Sequence, residues 1–144
     1  MPINKPADAK YKINTLIKNR WSPRAFENKS VDNEILNSLF EAARWAASCN
    51  NSQPWRFIVA KKENPKEYAK ALSCFNENNQ KWASTAPVIG FVGAYQLMLG
   101  DKKSRTYFYD TGMAMSQFTL QALEHNLYIH QAGGVLLDEI KTQY

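Results

Sequence analysis

The sequence predicts an α+β sandwich in which helices are segregated around a small β-sheet. Apolar residues recur at helical spacing in most segments, and three short apolar runs have the character of strands. A further observation is the segment from about Arg105 to His125, a long helix that has few polar positions. The predicted order is helix, helix, strand, helix, strand, long helix, strand, helix.

The first part of the chain is expected to form two helices and a strand. The first helix runs from about Ala7 to Asn19, and Pro23 stops the helical pattern within a loop. Asp32 can cap a second helix that ends near Ser48, because its apolar positions follow the helical period. Phe57–Ala60 is a β-branched and aromatic run, which indicates a strand.

The middle of the chain alternates between helix and strand. Asn64-Pro65 is typical of an N-cap and first helical residue, so a third helix is expected through about Cys74. Asn76–Gln80 is polar and is interpreted as a loop. Val88–Tyr95 is almost continuously apolar, as in a buried strand.

The C-terminal part begins with the long helix. A helix that is apolar on nearly all sides must be buried on nearly all sides. We favour burial between two subunits, and burial within one chain is the alternative. A strand over Leu127–His130, a turn over Gln131–Gly134 and a last helix from near Leu136 complete the prediction.

Composition limits the class of protein. The chain has 144 residues, 44% hydrophobic and 22% charged, which suits one globular domain over residues 1–144. No run of about 18 apolar residues occurs and Met1–Lys12 has no apolar stretch, so neither a membrane span nor a secretory signal is expected. Cys49 and Cys74 have no metal-like spacing and indicate free thiols in a reducing cytoplasm. No metal site is expected.

The formal charge of +5 is spread along the chain. A solvated basic surface is the favoured interpretation, and a nucleic-acid-binding domain is the alternative. A basic balance also suits an anionic small ligand.

Three segments could carry chemistry. Arg20-Trp21-Ser22-Pro23-Arg24 places two guanidinium groups and a hydroxyl where they could surround a phosphate, although a basic helix end would have the same composition. Ser48–Trp55 offers amide donors and acceptors, as would an ordinary surface loop. Gln131-Ala132-Gly133-Gly134 would let backbone amides approach a flat ligand, or would form a simple tight turn.

The chain lacks the glycine-rich dinucleotide and P-loop motifs, the nucleophile elbow and the zincin motif. Nothing in the sequence forms a nucleophile–base pair. If the protein is an enzyme, the difficult chemistry therefore belongs to a cofactor.

These segments together resemble nitroreductase-like flavoproteins. Arg20-Trp21-Ser22-Pro23-Arg24-Ala25-Phe26 resembles their Arg-x-Ser-x-Arg-x-Phe signature. Glu41–Ser48 followed by Asn51–Phe57 is similar to their helix and Ser-x-x-Asn-x-Gln-Pro-Trp loop. Asp110–Ala114 resembles the start of their central helix, and His130–Gly134 resembles their flavin turn. The four motifs are collinear from about Thr15 to Gly134.

The resemblance implies a cytoplasmic homodimer with a small, mainly antiparallel sheet and the long helix at the dimer interface. It also implies two FMN sites, NAD(P)H as electron donor and a nitroaromatic, quinone or similar small-molecule acceptor. Neither nucleic acid nor a membrane is expected as a partner, because the basic residues are scattered and no long apolar run occurs. The flavin itself carries the chemistry, so no catalytic side chain is expected.

By motif position, the resemblance implies particular FMN contacts. Arg20, Ser22 and Arg24 would hold the phosphate and polar edge of the flavin, with Trp21 contributing its backbone. The other subunit would supply contacts from the loop after the second helix. The remaining candidates are Ser48, Cys49, Asn51 and Gln53 in that loop, Gln80 with Asn78 and Lys81, and Gln131, Gly133 and Gly134 along the ring.

Family members usually continue past the glycine turn with another strand and an arm that reaches the partner subunit. This chain stops at Tyr144, which suggests either a shortened protein or a fragment lacking that strand and arm. The alternative function is therefore a flavin-binding or dimerising protein with little turnover. The sequence distinguishes neither NADH from NADPH nor one acceptor from another.

Overall fold

A computed structural model describes residues 5–96 and 102–144 of the chain. The described elements combine several helices with one pair of strands, which confirms the predicted α+β class. They are α1 (Thr15–Asn19), α2 (Asn33–Arg44), β1 (Trp55–Lys61), α3 (Pro65–Ser73), α4 (Glu77–Ala83), β2 (Val88–Ala94), α5 (Tyr107–Glu124) and α6 (Leu137–Gln143).

The two strands pair in antiparallel fashion. The Lys62 amide donates to the Pro87 carbonyl at 2.9 Å, and the Tyr95 amide donates to the Pro54 carbonyl at 2.7 Å. The end of β1 therefore faces the beginning of β2, as the expected antiparallel sheet requires.

The chain forms two compact units, each assembled from separate segments. Of the described residues, unit 1 contains 5–22, 33–56, 93–96 and 102–130, and unit 2 contains 23–32, 57–92 and 131–144. A single domain over residues 1–144 stays a prediction.

Unit 1 is built around the packing of α2 and α1 on α5. Ala43, Ala114 and Ala122 are completely buried, and such small side chains let helix backbones approach closely. The Phe40 and Phe118 rings lie 5.4 Å apart between their centroids. α5 therefore buries one face within its own unit.

The first turn of α5 is exposed in the described chain. Phe108 is 70% exposed and Tyr109 is 71% exposed, both in the first turn of the helix. Within residues 5–96 and 102–144, no helix combines the length and apolar character needed to cross a bilayer.

Unit 2 encloses its own apolar core, in which α3 contacts α4 and α6. Tyr68 lies in this core, and its hydroxyl approaches the carbonyl oxygens of Ala83 at 3.1 Å and Ala86 at 2.6 Å. Burial raises the pKa of the Tyr68 phenol. The other buried members of the core are Ala60, Ala71, Phe75, Ala86 and Ile89.

The predicted first helix is too long at its N-terminal end. The observed helix α1 begins at Thr15, because the Asn14 side chain accepts a hydrogen bond of 2.8 Å from the Leu16 amide and caps the helix there. The Ala7 amide instead donates to the Lys18 carbonyl at 2.7 Å. The second helix also ends earlier than predicted, at Arg44 instead of near Ser48.

The predicted loop over Asn76–Gln80 is wrong, because Glu77–Ala83 forms α4. Asn76 is its N-cap, and its side-chain oxygen accepts from the Asn79 amide at 2.9 Å. The polar composition reflects a partly exposed helix whose first turn is stabilised by a side-chain cap.

The strand predicted over Leu127–His130 is absent, since these residues lie in none of the described strands. Asn126 adopts a left-handed conformation with φ 57°, and the Leu127 amide donates to the Ala122 carbonyl at 2.8 Å. This segment therefore terminates α5 in the manner of a helix C-cap. The predictions for α3, β1, β2, α5 and α6 are confirmed within a few residues at each end.

Candidate functional site

The basic segment after α1 brings two of its predicted groups together. Arg20 is the C-cap of α1, and its Nη1 donates to Ser22 Oγ at 3.3 Å. Both residues are exposed. A guanidinium and a hydroxyl are thus presented side by side to solvent, as an oxyanion would require.

Trp21 lies between these two residues and is half-buried. Its ring centroid is 6.0 Å from that of Tyr128, and Lys5 Nζ lies 5.0 Å from the indole centroid. The indole Nε1 is buried with no hydrogen-bond partner in the described chain. The indole therefore packs into unit 1, while the residues on either side face solvent.

The polar segment after α2 is a compact loop over Ser48–Gln53, here called the 48–53 loop. Ser48 Oγ accepts from the Gln53 amide at 3.1 Å, and Asn51 Oδ1 accepts from Gln53 Nε2 at 3.1 Å. Asn50, Asn51 and Gln53 have φ values of 53°, 54° and 44°. The loop therefore brings together four predicted site residues, in a backbone conformation that L-residues seldom adopt.

Asp110 holds the beginning of this loop, and the sequence had not singled it out as a site residue. Its Oδ2 accepts from the Cys49 amide at 3.0 Å and from Thr106 Oγ1 at 3.0 Å. Asp110 is 4% exposed and lies in the first turn of α5. An acidic residue in the first turn of a largely apolar helix is the sequence signal that points to it.

Arg56 holds the other end of the loop. Its Nη1 donates to the Gln53 carbonyl at 3.0 Å and to the Trp55 carbonyl at 2.8 Å. The guanidinium carbon lies 5.5 Å from the Tyr95 ring centroid, within the range of a cation–π interaction. The loop is thus anchored at both ends within unit 1.

Unit 2 contains the remaining predicted residues. Arg24 is exposed, and it follows the buried Pro23. Two residues later, the Phe26 amide donates to Thr85 Oγ1 at 3.2 Å. The backbone around Arg24 is therefore fixed, while its guanidinium faces solvent.

The glycine segment is held against the N-terminal end of α4. The Gly134 carbonyl accepts from the Asn76 amide at 3.0 Å and from Asn79 Nδ2 at 3.1 Å. Phe75 and Val135 form an antiparallel bridge beside it. The C-terminal end of the glycine segment is therefore fixed by hydrogen bonds to residues distant in sequence.

The two glycines differ in their surroundings. A Cβ at Gly134 would overlap the side-chain amides of Asn76 and Asn79, whereas a Cβ at Gly133 would meet no atom within 4 Å. The backbone at Gly133 is therefore accessible to a ligand. Gln131, two residues earlier, is also exposed.

The sequence predicts a loop at Gln80, but this residue lies in α4. Its Nε2 donates to the Phe75 carbonyl at 2.7 Å, so its amide nitrogen stabilises unit 2. Lys81 Nζ lies 3.4 Å from Asn78 Oδ1 on the same helix. Among the candidate site residues, Gln80 therefore has a clear structural role, which is to stabilise unit 2.

One serine–histidine pair occurs in the described chain away from these segments. Ser38 Oγ is 3.0 Å from His125 Nε2, but it also donates to the Ile35 carbonyl at 2.7 Å. The serine proton is directed to a backbone carbonyl, and Gln121 Nε2 lies 3.3 Å from the same imidazole nitrogen, so this contact is not the arrangement of a nucleophile and its base. Among the described residues, no three His, Cys, Asp or Glu side chains are grouped as a metal site would require.

The separate units thus offer exposed guanidinium groups, a rigid amide-rich loop and an accessible glycine backbone. Each of these groups, within its own unit, can donate hydrogen bonds to an oxyanion or to the polar edge of a flat ligand. None of them is a paired nucleophile and base.

A sequence model of the nitroreductase family matches residues 17–143. The solved structure of an oxidoreductase containing FMN is 33% identical, with a TM-score of 0.88, and the match covers 99% of this chain and 73% of that one. An FMN-dependent nitroreductase from Clostridium difficile R20291 has a TM-score of 0.68 at 20% identity, covering 89% of this chain and 75% of that one, which shows likeness of fold alone.

Curated relatives match over shorter stretches. The major NAD(P)H-flavin oxidoreductase of Aliivibrio fischeri is 40% identical over 52 residues, which are 35% of this chain and 24% of that protein. Nitrobenzene nitroreductase from Ectopseudomonas oleovorans is 38% identical over 47 residues, 33% of this chain and 21% of that protein. The chain spans less than half of the length of the curated relatives it matches.

Proposed function

Because the chain belongs to the nitroreductase family, we propose that it is an FMN-dependent oxidoreductase that uses NAD(P)H to reduce nitroaromatic, quinone or similar electron-poor acceptors. The names of the relatives and of the similar structures support the cofactor and the donor. No side-chain general acid or base is required, since bound FMN supplies the capacity to accept and pass on two electrons.

The observation that carries the proposal is the exposed pair of Arg20 and Ser22, whose side chains lie 3.3 Å apart. The phosphate of FMN is doubly charged, and a guanidinium beside a hydroxyl donor is suited to its oxygens. Arg24, exposed in unit 2, is proposed as a further phosphate ligand. Trp21 would contribute its backbone.

The 48–53 loop is proposed to bind the polar part of the flavin ring, in the partner subunit of a homodimer. Ser48, Cys49, Asn51 and Gln53 are the residues assigned to it. Their backbone is already fixed by hydrogen bonds within unit 1, so little conformational entropy would be lost on binding.

The glycine segment is proposed to lie along the ring, with Gln131, Gly133 and Gly134 as contacts. Gly133 fits this role, because no atom lies within 4 Å of the position that a Cβ would occupy. Its amide could hydrogen bond to an acceptor atom of a flat ring. Gln80 is retained as a weaker candidate, because its amide nitrogen is already used by the Phe75 carbonyl.

A homodimer is supported by the exposed first turn of α5. Phe108 and Tyr109 are among the most exposed large apolar side chains in the described chain. Burial of aromatic side chains stabilises subunit interfaces. Sedimentation at micromolar concentration should therefore show a dimer, and a monomer would contradict this part of the proposal.

The decisive measurement is FMN binding by the quenching of flavin fluorescence. Replacing both Arg20 and Arg24 with alanine should weaken binding at least about 100-fold, since each charged hydrogen bond contributes roughly 1.5–3 kcal/mol. Lys18→Ala is the matched control, because it removes an exposed cation from α1 without touching the proposed ligands. Equal dissociation constants for the double variant and the control would reject the phosphate assignment.

Steady-state oxidation of NAD(P)H then tests the activity itself. Turnover with added FMN and a nitroaromatic or quinone acceptor is expected. Tight FMN binding without NAD(P)H oxidation would keep the cofactor assignment and remove the proposed activity.

A further inference from the structure

The 48–53 loop is held in place by a carboxylate that is distant in sequence. Asp110 Oδ2 accepts from the Cys49 amide across 61 positions of the chain, at 3.0 Å. The same oxygen accepts from Thr106 Oγ1, also at 3.0 Å. One buried atom therefore joins the beginning of the loop to the beginning of α5.

The location of Asp110 suits a side chain that acts as a hydrogen-bond acceptor. It is 4% exposed, and burial of a polar group is tolerated when hydrogen bonds compensate for lost hydration. Two such hydrogen bonds come from the Cys49 amide and the Thr106 hydroxyl. The first turn of a helix also stabilises a negative charge.

The loop needs such an anchor because its backbone is strained. Asn50, Asn51 and Gln53 all have positive φ values, and residues with side chains keep that conformation when surrounding contacts impose it. Ser48 Oγ and Arg56 Nη1 fix Gln53 at the far end of the loop. The hydrogen bond to Asp110 fixes the near end.

We infer that Asp110 is a positioning residue, which holds the 48–53 loop in its ligand-binding conformation through the Cys49 amide and so sets the affinity for flavin. This inference rests on the proposed function for its ligand, but the positioning of the loop does not depend on flavin. The two parts can therefore be tested separately.

Hydrogen exchange of the flavin-free protein tests the positioning. In Asp110→Ala, exchange of the Cys49, Asn51 and Ser52 amides should become at least tenfold faster. The amide of Phe118, in the middle of α5, should keep its protection, because the change is local. Accelerated exchange at Phe118 as well would indicate general destabilisation and would overturn the inference.

FMN titration tests the consequence. Asp110→Ala should raise the dissociation constant at least tenfold, and Asp110→Asn should recover most of the affinity because an amide oxygen still accepts from Cys49. Glu124→Ala is the control, since it removes an exposed carboxylate from the other end of α5 and leaves the Asp110 contacts in place. It should keep both loop protection and affinity near the wild-type values.

If Asp110→Ala does not fold, Asp110→Asn can replace it in the hydrogen-exchange measurement. It keeps the shape of the side chain and loses its charge, so exchange at Cys49 should still rise severalfold, because charge-assisted hydrogen bonds are roughly twice as strong as neutral ones. Wild-type exchange at Cys49 in every folded Asp110 variant would refute the positioning role. If the wild-type protein fails to bind FMN, the proposed function and the expected effect on FMN affinity are both rejected. The positioning role of Asp110 is then tested by hydrogen exchange alone.

Discussion

Replacing Gly134 with alanine is expected to destabilise the protein, whereas the same change at Gly133 is not. A methyl group at Gly134 would overlap the side-chain amides of Asn76 and Asn79, but one at Gly133 would have no neighbour within 4 Å. The two adjacent positions therefore form a matched pair that differs in steric surroundings and not in chemistry.

The size of the effect follows from what the Asn76 and Asn79 side chains already do. Asn76 Oδ1 caps α4 through the Asn79 amide at 2.9 Å, and loss of such a cap costs about 0.5–2 kcal/mol. Asn79 Nδ2 donates to the Gly134 carbonyl at 3.1 Å, and a hydrogen bond of this kind contributes about 0.5–1.5 kcal/mol. Because neither amide can move without weakening one of these bonds, Gly134→Ala should cost about 2–3 kcal/mol, within the range measured for overpacking.

Urea denaturation followed by circular dichroism measures this difference. Gly134→Ala should lower the denaturation midpoint clearly, while Gly133→Ala should stay within about 0.5 kcal/mol of the parent, as substitutions without close neighbours usually do. Equal midpoints for Gly134→Ala and the parent would refute the steric argument. Under the proposed function, Gly133→Ala should instead weaken FMN binding, because its methyl group would occupy the face assigned to the ring.

Three further predictions concern unit 2 and the two thiols. Tyr68→Phe should lower the free energy of unfolding by about 1–3 kcal/mol, because it leaves the Ala83 and Ala86 carbonyls without their buried donor; an unchanged thermal midpoint would contradict this. Ellman's reagent should modify the exposed Cys49 and leave the buried Cys74 intact until urea unfolds the chain, whereas equal rates in native protein would be inconsistent with the burial of Cys74. Burial raises the folded-state pKa of Cys74 above its reference value of 9.0 and that of Tyr68 above 10.0, so their stability contribution is complete below these values. The free energy of unfolding should fall as pH rises beyond them, and a flat profile between pH 8 and about 10.5 would refute the shift.

Elements with local signals were predicted well. Asn64 and Pro65 mark the start of α3 because a capping side chain and a fixed φ act within one helical turn. The continuous apolar run of β2 and the apolar character of α5 likewise depend on composition over a few consecutive residues.

Elements that depend on partners were predicted poorly. The segment Leu127–His130 has the composition of a strand, but a strand also needs a neighbour with which to pair, and the chain there closes α5 instead. Asn76–Gln80 has the composition of a loop, but the cap provided by Asn76 and the hydrogen bond from its amide to the Gly134 carbonyl favour a helix.

The candidate site shows the same difference between features with local signals and features that depend on distant residues. The sequence by itself predicts a role for the basic segment at Arg20, the polar 48–53 loop and the glycine segment, because their chemistry is contained in a few consecutive residues. Only the tertiary structure showed that Asp110 holds Cys49 and that Gly134, but not Gly133, is closely packed. Hydrogen bonds and steric contacts act over a few ångströms in space, and which distant residues come that close is decided by the packing of the whole chain.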